Sequence, residues 1–362
     1  MNNDKNNFLS IAKGIGIILM VAGHCGPPGL LGKYIYQFHM PLFFFCSGYF
    51  LTSILSKDML INFYKKRFKG IYLKFLCWSL LFLSLHNIFY HLNIYNNIIL
   101  FQGSPSFLYS IQDFLQKAAK SAFSMNEHEQ LLRSFWFLKQ LFLSSIFVST
   151  FTFSANKLTH YKHVSLIVLC ILFMMTLISK YYSWSLPAIW DVSLVFMSST
   201  FYLSGYVFRI YNILEIVNNK ATITLLFLLS IIGLLALPWT NMLEYTQITI
   251  IPFFIVAYAG IIMTLCFSEE LEKSRIKYIL YYLGQNTMVI FALHMLCFKI
   301  GNLIKIAIYD MPIYRLAEFQ IIYEHNSIFW MVYTIIGISI PLFIDHMMKL
   351  SNKTKMIWNY FV

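Results

Sequence analysis

The stretch from residue 11 to residue 50, IAKGIGIILMVAGHCGPPGLLGKYIYQFHMPLFFFCSGYF, decides the class of this protein. Two long apolar runs flank a short Gly/Pro turn, and each run carries a histidine. The first run predicts a membrane helix over 8–25, with Lys13 inside it and His24 near its end. The second run predicts a helix that His39 opens, with Pro41 in its first turn, where a missing N–H is tolerated. We therefore expect a short hairpin that holds His39 near His24.

The composition of the whole chain agrees with a membrane protein. Of its 362 residues, 59% are hydrophobic and 12% are charged, and the mean hydropathy is +0.65. A soluble domain has about 25% charged residues. Stretches without any charged residue are long enough to cross a bilayer, which takes about 20 residues, and they are 34–56, 221–243, 245–268, 278–298 and 325–344.

Shorter apolar stretches complete a set of ten predicted spans. They are 8–25, 75–92, 140–156, 163–179 and 192–208. Backbone polar groups in lipid must be satisfied within each segment, and no alternating pattern of the barrel type is visible. The sequence therefore predicts an all-α polytopic membrane protein of about ten transmembrane helices. We expect one transmembrane domain over 1–362, without a soluble C-terminal domain.

The basic residues predict the orientation. If the N-terminus is cytoplasmic, most Lys and Arg residues fall in inner segments, including a dense cluster between Lys65 and Lys74. The positive-inside rule then places both termini in the cytoplasm. This rule also explains the net charge of +12, so the charge does not indicate a nucleic-acid partner. We expect the protein surface to contact the lipid bilayer instead.

Lys13 and His24 form a candidate polar seam. They are eleven residues apart, which places them on nearly the same helix face and roughly 16 Å apart along the axis. Ionisable residues inside a membrane segment are functional candidates by default. The structural alternative is a snorkelling lysine and an interfacial histidine.

Other polar residues embedded in apolar surroundings are further candidates. The inner cluster KKRFKG contains Arg67 and Lys69, and arginine suits the clamping of phosphates, although the cluster is also a plain topology signal. Four more candidates stand within apolar segments, and they are Trp136, Asp191, Asn286 and His294. Asn286 has the alternative of capping a helix, and His294 the alternative of a packed, hydrogen-bonded core histidine.

Three further patterns have mainly structural interpretations. Ser47 and Gly48 form a small-residue patch that predicts close helix packing. The loop 93–130 carries apolar residues at helical spacing from Phe107 onward, which predicts an amphipathic helix on the outer face. The six cysteines show neither paired nor metal-type spacing, and we expect no metal.

Several motifs together resemble the acyltransferase-3 family of integral membrane acyltransferases, especially bacterial O-acetyltransferases of surface polysaccharides. The motifs are AKGIGIILMVAGH, FHMPLFFFCSGYF, KKRFKG, FWFLKQLF, FYLSGYVF and LGQNTMVIFALH, and they run along almost the whole chain. The resemblance implies about ten helices in a bacterial inner or plasma membrane. It also implies transfer of an acyl group, most often acetyl, from cytoplasmic acetyl-CoA to a carbohydrate hydroxyl.

The resemblance also implies roles for individual residues. His24 matches the family's essential histidine and Lys13 its basic companion, while Arg67 matches the first arginine of an Arg-x-x-Arg motif. Gly70 stands where the second arginine is expected, with Lys69 beside it. We therefore expect Lys13, Arg67 and Lys69 to bind the phosphates of the acyl-CoA.

A sugar hydroxyl that attacks a thioester needs a base, which suggests His24 in that role. We expect His39 or Asp191 to orient His24 or to bind the acceptor, and Trp136, Asn286 and His294 to contact the substrate.

Two alternatives stay open at the level of sequence. One is a covalent relay in which His24 or Cys25 is acylated first. The other is an exporter or flippase of a polysaccharide or lipid-linked sugar that uses the histidines as proton relays. The absence of acidic residues inside the predicted helices and of an internal repeat favours the enzyme.

Overall fold

The protein is an assembly of helices. The computed structural model describes residues 7–158, 163–186 and 191–362, and within these ranges the only extended pairing is an isolated bridge between Phe101 and Ser104. The α-helices are α1 (Asn7–Gly23), α2 (Gly29–Tyr49), α3 (Lys57–Arg67), α4 (Leu73–His91), α5 (Ile111–Ser124), α6 (Trp136–Leu158), α7 (Val164–Tyr181), α8 (Val192–Ile210), α9 (Ile213–Val217), α10 (Lys220–Ala236), α11 (Ile250–Leu271), α12 (Lys277–Gln285), α13 (Thr287–Tyr309), α14 (Phe329–Lys349) and α15 (Asn352–Trp358). A π-helical segment, Phe68–Tyr72, joins α3 to α4, and 3₁₀ segments cover Gln130–Phe135 and Ile313–Ala317.

The predicted class is confirmed, since the protein is an all-α polytopic membrane protein. Six helical stretches of the described chain are long and apolar enough to cross a bilayer, and Asn7–Gly23 and Lys220–Ala236 are shorter apolar helices. The six are Lys57–His91, Gln130–Leu158, Val164–Tyr181, Ile250–Leu271, Thr287–Tyr309 and Phe329–Lys349. Each of the ten predicted spans overlaps a helix. The number of crossings and the side on which the termini lie stay predictions.

Two element boundaries differ from the sequence-based expectation. The helix predicted to open at His39 begins at Gly29, directly after the Gly/Pro turn, so His39 and Pro41 lie well inside α2. The expectation that His39 opens this helix was therefore wrong. The predicted span 278–298 is divided at Asn286 into α12 and α13, and α13 continues to Tyr309 past two lysines.

The chain forms two compact units, each built from separate segments. Unit 1 contains the described residues of Met1–Met20, Leu30–Lys69 and Gln140–Gln285. Its helices approach closely at glycines: a Cβ at Gly48 in α2 would lie 1.6 Å from the Tyr202 carbonyl oxygen of α8, and one at Gly205 in α8 would lie 2.0 Å from the Phe45 carbonyl oxygen. This contact confirms the close packing predicted at Ser47 and Gly48.

Unit 2 contains Val21–Gly29, Gly70–Lys139 and Asn286–Val362. Its centre is the pair α13 and α14, where Gly301 receives the ring of Tyr333 and Gly337 receives the ring of Phe298. The short turn after α1 also belongs to this unit, and that turn carries His24.

The amphipathic helix predicted in the loop 93–130 is present as α5. A capping box of Ser110 and Asp113 starts it, because each residue bonds the backbone N–H of the other. Ile111, Leu115 and Phe123 on this helix are strongly exposed. An apolar exposed face of this kind is typical of a helix that lies in a membrane interface.

Candidate functional site

His24 stands in a turn that the local sequence dictates. It follows Gly23, the last residue of α1, and its backbone N–H bonds the Val21 carbonyl at 3.1 Å. Gly26 then adopts φ +62°, a left-handed conformation that glycine takes without cost. The side chain of Asn326 secures the turn by donating to the carbonyls of Cys25 and Gly26, at 2.9 and 3.0 Å.

Gln320 contacts His24 from the segment between α13 and α14. The amide nitrogen Nε2 of Gln320 lies 2.9 Å from Nδ1 of His24. Gln320 has φ +61°, an uncommon conformation for a residue with a side chain. Such a conformation persists only when neighbouring contacts impose it, and these contacts fix the backbone from which the Gln320 side chain reaches the imidazole.

His294 of α13 is the second imidazole of the site. Its ring stacks on that of His24, with centroids 5.4 Å apart and planes 28° apart, and the residue is fully buried. Its Nδ1 lies 3.1 Å from the Ile290 carbonyl and 2.9 Å from the Phe291 carbonyl. Its Nε2 finds no hydrogen-bond partner among the residues that the structure describes.

Aromatic side chains surround His294. The rings of Phe291 and Phe298 lie 6.4 and 5.5 Å from it. Phe135 and Phe137 pack on Phe291 at 5.3 and 5.8 Å. Trp136, the first residue of α6, stands between these two phenylalanines in the chain and is half-buried. Apart from Trp136, these side chains are apolar, and the imidazole of His294 is the basic group among them.

One face of α13 holds the segment that carries Gln320. Lys299 donates to the carbonyls of Leu316 and Glu318, at 3.0 and 2.7 Å, on one side of Gln320. On the other side, Lys305 donates to the Ile322 carbonyl at 2.7 Å, and Asn302 accepts from the Ile322 N–H at 3.1 Å. We call Lys299, Asn302 and Lys305 the α13 clamp.

Ion pairs hold the same segment at the surface. Arg315 bonds Glu318 at 2.5 Å and also pairs with Glu324. The hydrogen bond and charge of Arg315 lower the pKa of Glu324. Tyr323 packs against Gly26 beside the His24 turn, and burial raises the pKa of its phenol. The segment thus carries its polar groups in fixed positions around the turn.

The expected phosphate-binding residues lie in unit 1. Arg67, at the end of α3, donates to the Tyr202 hydroxyl at 2.7 Å and lies 4.8 Å from the centre of the Phe63 ring. Lys69 is exposed in the π-helical segment that follows. Lys13, inside α1, lies 5.8 Å from the centre of the Phe50 ring. Arg67 and Lys69 are thus close neighbours in the chain, and Lys69 is open to solvent.

His39 and Asp191 also lie in unit 1, and both have local hydrogen bonds. His39 is buried, with Nδ1 2.8 Å from the Ile35 carbonyl of its own helix. Asp191 caps α8 by accepting from the backbone of Ser193 and Leu194, at 2.9 and 3.3 Å. Asn286, in unit 2, is the N-cap residue of α13.

Sequence reasoning missed Gln320, Asn326 and the α13 clamp. Gln320 and Asn326 lie in an irregular segment without periodicity, so no local pattern distinguishes them. The clamp left a signal, because Lys299, Asn302 and Lys305 recur every three residues and share a helix face. The predicted span ended at residue 298, just before them.

The arrangement can perform proton transfer without a metal ligand set. Within the described ranges, no three His, Cys, Asp or Glu side chains cluster as metal ligands would. The stacked imidazoles of the half-buried His24 and the buried His294 offer hydrogen-bond donors and a basic lone pair. These are the groups that acid–base catalysis uses.

Comparison with known protein families gives a match over nearly the whole chain. The sequence model of the acyltransferase-3 family, described as an acyltransferase domain, matches residues 6–347. No curated protein matches, and no solved structure matches. The family match covers nearly the whole chain and includes both units with their His24 and Arg67 segments. The chain therefore belongs to the acyltransferase-3 family and is a membrane acyltransferase.

Proposed function

We propose that this protein is an O-acetyltransferase of a bacterial cell membrane. It transfers acetyl from cytoplasmic acetyl-CoA to a hydroxyl of a surface polysaccharide or of its lipid-linked precursor. The observation that supports this proposal best is His24, bonded to Gln320 and stacked on the buried His294, in a chain of the acyltransferase-3 family.

The chemistry of the proposed reaction explains why two imidazoles lie together at this site. A sugar hydroxyl is a poor nucleophile at neutral pH, and a positioned base that removes its proton accelerates attack by about 10²- to 10⁴-fold. Histidine has the suitable proton affinity near pH 7. The water-poor aromatic setting of His294 also strengthens every hydrogen bond made to the reacting atoms.

The basic residues of unit 1 are our candidates for the donor. The planar guanidinium of Arg67 is suited to bidentate contact with a phosphate, and the exposed Lys69 adds a mobile positive charge. We assign Lys13 to the same donor site. On the acceptor side we assign Trp136, whose half-buried ring suits the apolar face of a sugar, and Asn286 at the start of α13.

We give His39 and Asp191 structural roles in this proposal. The ring nitrogen of His39 is bonded to a carbonyl of its own helix, and the carboxylate of Asp191 is occupied by the first backbone N–H groups of α8. A carboxylate that already accepts from the backbone of its own helix has less capacity to bind a substrate.

Radiolabelled acetyl-CoA tests the proposal. The purified protein is incubated with it and with a pool of bacterial envelope glycans, and both free CoA and label in glycan are measured. Wild type should release CoA and label the glycan, and His24→Ala should lose at least about 10²-fold.

The matched control is His91→Ala, which removes an exposed histidine from the end of α4 and should retain activity. Wild-type protein that neither releases CoA nor binds acetyl-CoA would contradict the proposal. It would direct attention to another acyl donor or to transport of a sugar.

A further inference from the structure

The hydrogen bonds of the site determine where each imidazole carries its proton. An amide nitrogen can only donate, so Gln320 Nε2 donates to His24 Nδ1, 2.9 Å away. Nδ1 of His24 is therefore an acceptor. In the neutral ring, the proton of His24 then resides on Nε2.

His294 has the opposite tautomer. The two groups nearest its Nδ1 are the backbone carbonyls of Ile290 and Phe291, at 3.1 and 2.9 Å. Carbonyl oxygens can only accept, so Nδ1 of His294 carries the proton. The lone pair of the neutral ring is then on Nε2, and this atom is buried without a partner among the described residues.

A buried acceptor without a partner is costly, by about 1–3 kcal/mol. In native proteins nearly all such atoms have a hydrogen-bond partner in the protein, in ordered water or in a ligand. The ring stacked on that of His294 belongs to His24, the residue that the family resemblance singles out. The His294 ring therefore offers an unused basic lone pair next to the residue on which the proposed reaction depends.

We propose that His294, and not His24, is the general base, and that His24 is the hydrogen-bond donor to the carbonyl oxygen of the thioester. This inference rests on the proposed function. Nε2 of His294 takes the hydroxyl proton while the hydroxyl oxygen bonds the acetyl carbon. Nε2–H of His24 stabilises the negative charge that develops on the carbonyl oxygen.

The step balances without any further reactant. The carbon–sulfur bond breaks, and the electron pair leaves on the sulfur of CoA. Protonated His294 then gives its proton to this thiolate, which restores the neutral ring and releases CoA as the free thiol. His24 keeps its proton throughout, as a neutral imidazole does when it acts as an electrophile.

The α13 clamp supports this division of roles. Its hydrogen bonds fix the backbone on both sides of Gln320. The Gln320 amide therefore has a defined position relative to Nδ1 of His24. Gln320 is a positioning residue in this reaction, since it acts through the tautomer of His24.

Two isosteric substitutions separate the roles. Glutamine can donate a hydrogen bond from about the position of histidine Nε2, but it cannot act as a base at neutral pH. We expect His24→Gln to stay within about tenfold of wild type in kcat and to exceed His24→Ala clearly. We expect His294→Gln to lose about 10²- to 10⁴-fold in kcat, with the KM for acetyl-CoA unchanged.

The reverse pattern would overturn the inference: His24→Gln as inactive as His24→Ala, and His294→Gln within tenfold of wild type. Turnover by wild type in the same assay tests the proposed function separately from the roles of the two histidines.

Nitrogen-15 NMR of histidine-labelled wild-type protein reads the protonation of the ring nitrogens directly in the native site. Protonated and unprotonated ring nitrogens have well-separated shifts, and the two variants assign the signals. Unprotonated Nδ1 in His24 and unprotonated Nε2 in His294 would support the inference. A proton on Nδ1 of His24 would overturn it.

Discussion

At the scale of single residues, the His24 turn depends on the glycine that follows it. Gly26 has φ +62°, and a Cβ there would lie 2.8 Å from the Tyr323 ring and 3.0 Å from the Asn326 amide. Gly26→Ala should cost about 1–2 kcal/mol through the left-handed backbone alone. The clash with Tyr323 and Asn326 should in addition displace His24 and reduce acetyl transfer.

Gly103 is a matched control for this substitution. It has φ +79° in the same unit, and a Cβ there would meet nothing within 4 Å. Thermal unfolding of Gly103→Ala should therefore show the backbone cost without any loss of transfer activity. Equal activity in the two variants would show that the contacts around Gly26 do not position His24.

Cys25, next to His24 in the chain, gives a second prediction at this scale, that its thiol is not a nucleophile in the reaction. It is buried and donates to the Val21 carbonyl at 3.0 Å, so the sulfur is held as a protonated thiol. A nucleophilic cysteine needs its thiolate. Cys25→Ser keeps a donor at this position and should retain transfer within about threefold of wild type. A loss of 10²-fold or more, measured as CoA release, would restore the acyl-cysteine relay.

At the scale of elements, α13 links the proposed base, His294, to the segment of Gln320, the residue that positions His24. It carries His294 and the α13 clamp on one continuous helix. Lys299→Met removes two hydrogen bonds to the segment that carries Gln320. Because a displacement of about 1 Å can cost about 10²-fold in rate, we expect kcat to fall by about 10- to 100-fold, with acetyl-CoA binding unchanged.

Lys355→Met is the control for removing a lysine, since Lys355 is exposed on α15 in the same unit. It should have wild-type kcat. A Lys299→Met protein with normal kcat would mean that the segment keeps its position without the clamp, and that Gln320 needs no such support.

At the scale of the whole molecule, the orientation in the bilayer is the prediction to test. The distribution of Lys and Arg places both termini in the cytoplasm and the loop 93–130 outside. A fluorescent reporter after Val362 should fluoresce, because it folds in the cytoplasm. An alkaline phosphatase reporter inserted at Gly103 should be active, because it folds outside. The opposite result at either position would contradict the predicted topology.

The sequence by itself determined the class of the protein and most of its helices. Apolar composition and the length of uncharged stretches are local properties, and they predict membrane helices because lipid requires each segment to satisfy its own backbone. Motifs around His24, Arg67 and His294 were sufficient for the resemblance to the family, which the family match confirmed.

The tertiary structure alone decided which of the candidate residues meet. His24 bonds Gln320 across 296 positions of the chain, and it stacks on His294 from a distant helix. His39, predicted to open its helix, lies inside α2 because the Gly/Pro turn ends earlier than expected. Periodicity reports the face of one helix, whereas a site depends on contacts between distant segments, which packing creates.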